Sequence, residues 1–398
     1  MKDYTDNILE TIVDVRRLNP QDGYHYFFGY YDINAFNEKN TLHLCHRTKF
    51  WERLPTSDDM CELGLIDVAT GAWRTLAETC AFNFQQGAML QWNPMNPMEE
   101  IIYNTFLDGC FQTAIHNINT SKVRHLPQAI TNVSADGKWG IIINMSRVFD
   151  FRPGYGYSGT ADAGYDVPQP KNDGIWIIDM ETGDAKFIIS FHDMGKLFSY
   201  DSADKLVINP ATFSVNNQRL LFFVRPFPRE GEARPWWEAT GIGVINRDGT
   251  GFHMLKSLGF ASHYNWRDDN HVLVYTQVNG VAGMYLFTDQ SNEINRIGPD
   301  FFDRDIHCIY SPDKKYIAGD GYPDSNGYRS LYLYNTYTNK GTILLRVKSN
   351  SIADGDTGDS DIRCDLHNRW SRDGKFISFD STHEGVRGLY MIDVSQVF

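Results

Sequence analysis

No stretch of this 398-residue chain has the Ala/Leu/Glu/Lys richness of a long helix, and no apolar run reaches transmembrane length. A membrane is therefore not an expected partner. Basic charge is also scarce: 37 Lys and Arg against 50 Asp and Glu leave a net charge of −13. A general nucleic-acid binder needs a basic surface to displace counterions, so nucleic acid is not expected either. A small anionic substrate is still compatible, because screening over roughly 8 Å lets a local basic pocket outweigh the global charge. The six cysteines, at 45, 61, 80, 110, 308 and 364, show no Cys-x-x-Cys spacing and read as free, mostly buried thiols. The opening MKDYTDNILETIVDV lacks the apolar core of a secretory signal, which makes the cytoplasm the expected compartment.

What the chain does have is aromatic residues, at 14%, within a 42% hydrophobic composition that supports a packed core of strands and tight turns. It also repeats itself. Each unit opens with a short strand, a turn resembling Ser-Pro-Asp-Gly, and a second apolar strand. Residues 310–320 (YSPDKKYIAGD) and 370–380 (WSRDGKFISFD) are the clearest copies, with weaker ones at 133–143, 208–213, 92–95, 266–274 and 35–44. A further strand-turn-strand follows each, with Asp-x-x-Thr-Gly turns at Asp67–Gly71 and Asp179–Gly183. Seven units of four strands predict an all-β, seven-bladed β-propeller spanning 1–398 as a single domain. The last unit runs out after three strands, so the alternating segment Ile8–Arg16 is expected to supply the fourth and close the fold. The Gly-, Tyr-, Pro- and Asp-rich interruption 147–173 is expected to be a loop over one mouth of the ring.

His263, His307 and His367 each stand three residues before an aromatic and six before an aspartate, in three successive units. Carried through all seven units, the same position holds Asp32, Met89, Ile130, Lys205, His263, His307 and His367. Equivalent positions of a propeller converge on its channel, so ionisable groups at this register predict a site with shifted pKa values. Asp365 and His367 stand two residues apart, which puts both on one side of a strand. With His263 or His307 they could hold a divalent ion such as Mn²⁺ or Zn²⁺, or form an Asp–His hydrogen bond without metal.

A second cluster runs from Tyr24 through His25, Tyr30 and Tyr31 to Asp32, followed by His46, Arg47 and Lys49. Gln85 and Gln86 offer hydrogen bonds suited to sugar hydroxyls. Arg147, Arg152, Arg225 and Arg229 could supply carboxylate-binding forks, Arg225 being the best placed at the end of an apolar strand.

The Ser-Pro-Asp-Gly-like turns resemble those of TolB-type propellers. The His263 frame, and Asp365-Leu-His367 before Trp-Ser-x-Asp-Gly, resemble the oligogalacturonate lyases. That resemblance implies a divalent metal, commonly Mn²⁺, held by histidines and a glutamine. His263 and His367 match; where the family has His-Pro-His this chain has Asp365-Leu-His367, and the glutamine position falls near Ile362, which cannot ligate. Lys205 stands where the lyases carry their proton-abstracting histidine. The spacing of His25 and His46 also resembles propeller ulvan lyases.

The implied reaction is β-elimination on an acidic, uronate-containing oligosaccharide. The metal ligands would be His263, His307, Asp365 and His367. Lys205, His25 or His46 would be the base, Tyr30 or Tyr31 the acid, and Arg225 or Arg47 a carboxylate fork, with Gln86 and Arg147 as further substrate contacts. A non-catalytic glycan- or protein-binding propeller and a glycoside hydrolase are the alternatives; a hydrolase would want a pair of channel carboxylates.

Overall fold

The computed structural model describes residues 7–228, 236–349 and 360–397. Seven antiparallel sheets follow one another along the chain, giving an all-β seven-bladed β-propeller. Chain contacts divide it into two units, the first holding 1–106, 114–124 and 304–398 and the second 107–113 and 125–303. Among the described residues no helix is long and apolar enough to cross a membrane.

In the first unit, the first blade comprises strands His25–Phe27, Leu42–Thr48, Cys61–Asp67 and Trp73–Thr79. The second runs from Gln91–Trp92 to Val123–Leu126, apart from a hairpin tip and the end of its last strand, which belong to the other unit. The sixth contains Ile306–Tyr310, Tyr316–Gly321, Tyr328–Asn335 and Lys340–Lys348, and the seventh Arg369–Trp370, Phe376–Ser381 and Gly388–Asp393.

The amino terminus does more than was expected of it. Val15–Arg17 pairs with Gly388–Asp393 and completes the seventh blade, while Ile8–Thr11 pairs with Lys340–Lys348 and gives the sixth blade a fifth strand. The alternation across Ile8–Arg16 hides a break between two short strands that serve two different blades.

The repeated turn has a simple physical basis. In the third, sixth and seventh blades Ser134, Ser311 and Ser371 each donate 2.7 Å to the aspartate two residues on. Each Ser oxygen also accepts the N–H five residues on, at 2.9–3.0 Å. One hydroxyl and one carboxylate thus fix the reversal, and the register of the hairpin follows.

The second unit holds the third, fourth and fifth blades. The interruption at 147–173 begins as a helix rather than a loop: Met145–Phe151 is helical, with the Asn144 side chain accepting from Arg147 N–H. Arg147 is fully buried, paired with Asp162 at 2.9 Å and donating to the Leu206 and Pro168 carbonyls. Its guanidinium pins this segment to the blade beneath, which corrects its reading as a substrate-facing arginine.

Candidate metal and ligand site

Three side chains of the first unit meet: the ligand atoms of His307, Asp365 and His367 all lie within 4.8 Å of one another, and all three residues are buried. His307 sits in a regular strand pair opposite Asp320, and its Nδ1 donates to the Asp320 carboxylate at 3.1 Å. That leaves Nε2 pointing toward Asp365, 3.9 Å away. Burial lowers the pKa of His307, but the Asp320 charge and hydrogen bond outweigh it and the net shift is upward.

His367 is not in a strand. It precedes the inner strand Arg369–Trp370 and has a left-handed backbone, φ +42°. Its proximity to Asp365 comes from that bend rather than from strand alternation. Nδ1 lies 3.1 Å from the Gly29 carbonyl, which can only accept, so Nδ1 carries the hydrogen and Nε2 the lone pair. Nε2 is buried without a hydrogen-bond partner, 3.8 Å from Asp365. Burial and the neighbouring His307 hold the imidazole well below its ordinary pKa, hence neutral. Gly29 itself is required: at φ +129° a Cβ would meet the Gln86 carbonyl oxygen at 2.7 Å.

Two neutral-capable imidazoles with their outer nitrogens fixed by a carboxylate and a carbonyl, plus one carboxylate, suit a divalent transition-metal ion. Asp365 is also the hub of an ionic network, with Arg329 at 2.8 Å and Arg363 at 2.7 Å. Burial alone would raise its pKa; the two guanidiniums reverse this and hold it well below the carboxylate range. Tyr30 and Tyr31 lie beside the imidazoles, their ring centroids 5.1 Å from His367 and 5.5 Å from His307 respectively. Tyr322 adds an exposed ring 5.9 Å from His307.

His263 is not part of this trio. It belongs to the second unit, in a strand whose pairing shifts register between Ala261 and Tyr264, and its Nδ1 contacts the Ser262 hydroxyl at 3.2 Å.

The other candidates fall into different surroundings. His46 Nε2 accepts the Ala88 N–H at 2.9 Å, its ring stacks on Phe27, and burial lowers its pKa to about 3. Its lone pair is already committed to the backbone, so it is corrected from base to brace. Arg47 is held by Glu62 at 2.8 Å and Asp22 at 3.1 Å, with Tyr24 and Trp73 near its guanidinium, which corrects its reading as a substrate fork. His25 is half-buried beside Trp51, its pKa lowered mainly by burial. Gln86 is buried, its N–H donating to Asn83, while Gln85 donates to the Arg363 carbonyl at 2.9 Å and so supports the segment leading to Asp365. In the second unit Arg225 is buried with Nε 3.3 Å from Thr240. Lys205 Nζ lies 3.0 Å from the centre of the Tyr165 ring, and burial, then Arg147, lower its pKa. Arg229 lies outside the described residues.

Sequence reasoning passed over Asp320, Arg329 and Arg363. Asp320 did carry a signal. It ends the 310–320 copy as Asp380 ends the 370–380 copy, and both do the same work: Asp320 accepts the Leu366 N–H at 3.1 Å, and Asp380 the Phe28 N–H at 3.2 Å. Each braces the segment that opens the next blade.

No family model matches this chain, and no curated protein does. Solved structures do. An oligogalacturonate lyase in complex with manganese superposes with a TM-score of 0.70 at 16% identity, over 98% of this chain and 96% of that one. The fold is that of the oligogalacturonate lyases. A second such lyase, from Vibrio parahaemolyticus, gives a TM-score of 0.67 at 16% identity with the same coverage. The β-propeller domain of the Trilobed protease from Pyrococcus furiosus gives 0.53 at 11% identity, over 92% of this chain and 93% of that domain.

Proposed function

We propose that the protein is a polysaccharide lyase-like enzyme that cleaves uronate-containing oligosaccharides by β-elimination. The observation that carries this reading is the buried trio His307, Asp365 and His367, built into a fold shared with a manganese-bound oligogalacturonate lyase. A divalent cation held there, Mn²⁺ or Zn²⁺, would supply a Lewis acid that draws charge from the uronate carboxylate and so acidifies the C5 proton. The chain's own groups do the rest. The Asp320 carboxylate and the Gly29 carbonyl keep both imidazoles in the tautomer that presents Nε2. Arg363 contributes positive charge for the carboxylate, and Tyr30 is the proposed donor of a proton to the departing O4.

A second reading rests on one observation: Asp365 already carries Arg329 and Arg363. A carboxylate neutralised twice over suits a metal-free ionic network in a glycan-binding propeller. Incubation with oligogalacturonate, with and without added Mn²⁺, separates the two. The lyase gives an ultraviolet-absorbing unsaturated product that depends on the metal and is lost in His367→Ala. Binding without that product, across oligogalacturonate and other uronate oligosaccharides, would refute the enzyme.

A further inference from the structure

Four guanidiniums are buried in the first unit, those of Arg329, Arg363, Arg369 and Arg387, none with more than 5% exposure. Three carboxylates are buried with them, Asp320, Asp365 and Asp380, each at 0%. Even with every imidazole neutral, these described groups leave one positive charge in excess.

The excess falls on Arg387. Arg329 and Arg363 share Asp365, and Arg369 takes Asp380 at 2.6 Å, a carboxylate whose charge Arg387 feels without bonding to it. Arg387, completely buried, has its Nη2 donating to the Phe84 carbonyl at 2.8 Å. Its Nε and Nη1, which carry three of the five guanidinium hydrogens, meet no acceptor among the described residues. Phe27 and Phe84 lie 5.2 and 5.0 Å from the guanidinium carbon, which offsets only part of the cost of removing a charge from water. His25 Nδ1 is a second buried atom without a partner, and the Arg387 charge acts on that ring.

We propose that Arg387 anchors a buried site for a small monovalent inorganic anion of the chloride class. Full burial excludes a sugar acid or a phosphate ester at this guanidinium. A halide needs only N–H donors, which Arg387 Nε and Nη1 supply. Its single negative charge offsets the one in excess among these seven buried groups. The position gives the anion a structural role, because the Arg387 carbonyl accepts the Tyr26 N–H at 2.8 Å while its side chain reaches Phe84. The last blade is thereby tied to the first and to the segment that opens the second.

Thermal unfolding of the full chain in sodium chloride, compared with sodium gluconate at matched ionic strength, tests the proposal. Chloride is expected to raise Tm by about 3 °C at saturation, with single-site concentration dependence and with bromide able to replace it. Arg387→Met should lose that dependence. Crystals of the unaltered protein grown in sodium bromide should give an anomalous peak within hydrogen-bond distance of Arg387 Nε or Nη1, a result that stands even if the variant does not fold. Equal Tm in the two salts, or only water beside Arg387 in bromide, overturns it.

Discussion

Two sets of buried imidazoles in the first unit look alike by composition and differ in what their outer nitrogens do. In the first blade, His46 gives its Nε2 lone pair to the Ala88 N–H, and His43 bonds the Leu44 carbonyl and the Ser378 hydroxyl. At the sixth and seventh blades, His307 and His367 spend their Nδ1 hydrogens on Asp320 and Gly29 and turn Nε2 toward Asp365. Burial lowers the pKa of His43, His46 and His367 alike. Low basicity therefore does not mark a ligand; the destination of the second nitrogen does.

The sharpest way to break that comparison is to remove one imidazole of each kind. His367→Ala or His307→Ala should lower Mn²⁺ affinity by at least 10²-fold, measured by titration calorimetry, and abolish product formation. His46→Ala should leave the affinity within a few-fold while costing about 2–4 kcal/mol in urea unfolding, since it empties an aromatic stack and strands a backbone N–H. Equal loss of metal from both would end the distinction.

Gly87→Ala should act on the first set alone. A Cβ there would meet the His46 ring at 2.4 Å, at a backbone φ of +63°. A destabilisation of about 2–4 kcal/mol is expected, with Mn²⁺ affinity per folded molecule unchanged. Asp320→Asn should act on the second set, weakening Mn²⁺ binding roughly 10-fold by loosening the tautomer and orientation of His307.

Acidity separates His307 from the other three imidazoles more gently. His43 and His46 have folded pKa values of about 3, below an unfolded value near 6.5. The unfolded chain thus takes up protons first, and their contribution is present above pH 6.5 and lost as pH falls toward 3. His307 runs the other way: its raised pKa makes its contribution complete below 6.5 and lost as pH rises through the folded value. Urea midpoints between pH 7 and 4 should fall with acid, and His46→Gln should flatten that slope by about one proton. The smallest effect belongs to Arg47→Ala, which should change turnover less than two-fold because Glu62 and Asp22 already occupy the guanidinium.

The blade count and the hairpin turns were legible because Ser-x-Asp and Asp-x-x-Thr-Gly spell out local hydrogen bonds. His307 and His367 were legible through their spacing to those turns, together with His263, and Asp365 through standing two residues before His367. What spacing could not report was backbone conformation. Three histidines at one frame position occupy a regular strand, a bulge and a left-handed bend. Nor could it report partners from elsewhere in the sequence, such as Arg329 on Asp365 or Ala88 on His46, which decide whether a buried group is free to act. The amino-terminal segment was assigned to the right edge but as one strand, because alternation persists across the gap between Thr11 and Val15.

Those two short strands set a timetable for biosynthesis. Ile8 pairs with Val347 and Val15 with Ile392, so both strands leave the ribosome long before their partners are made. At about 5–20 residues per second, translation keeps these segments waiting for roughly 20–80 s. Throughout that interval the nascent protein carries unmatched β-edges, an opening for chaperones and a hazard in a crowded polysome.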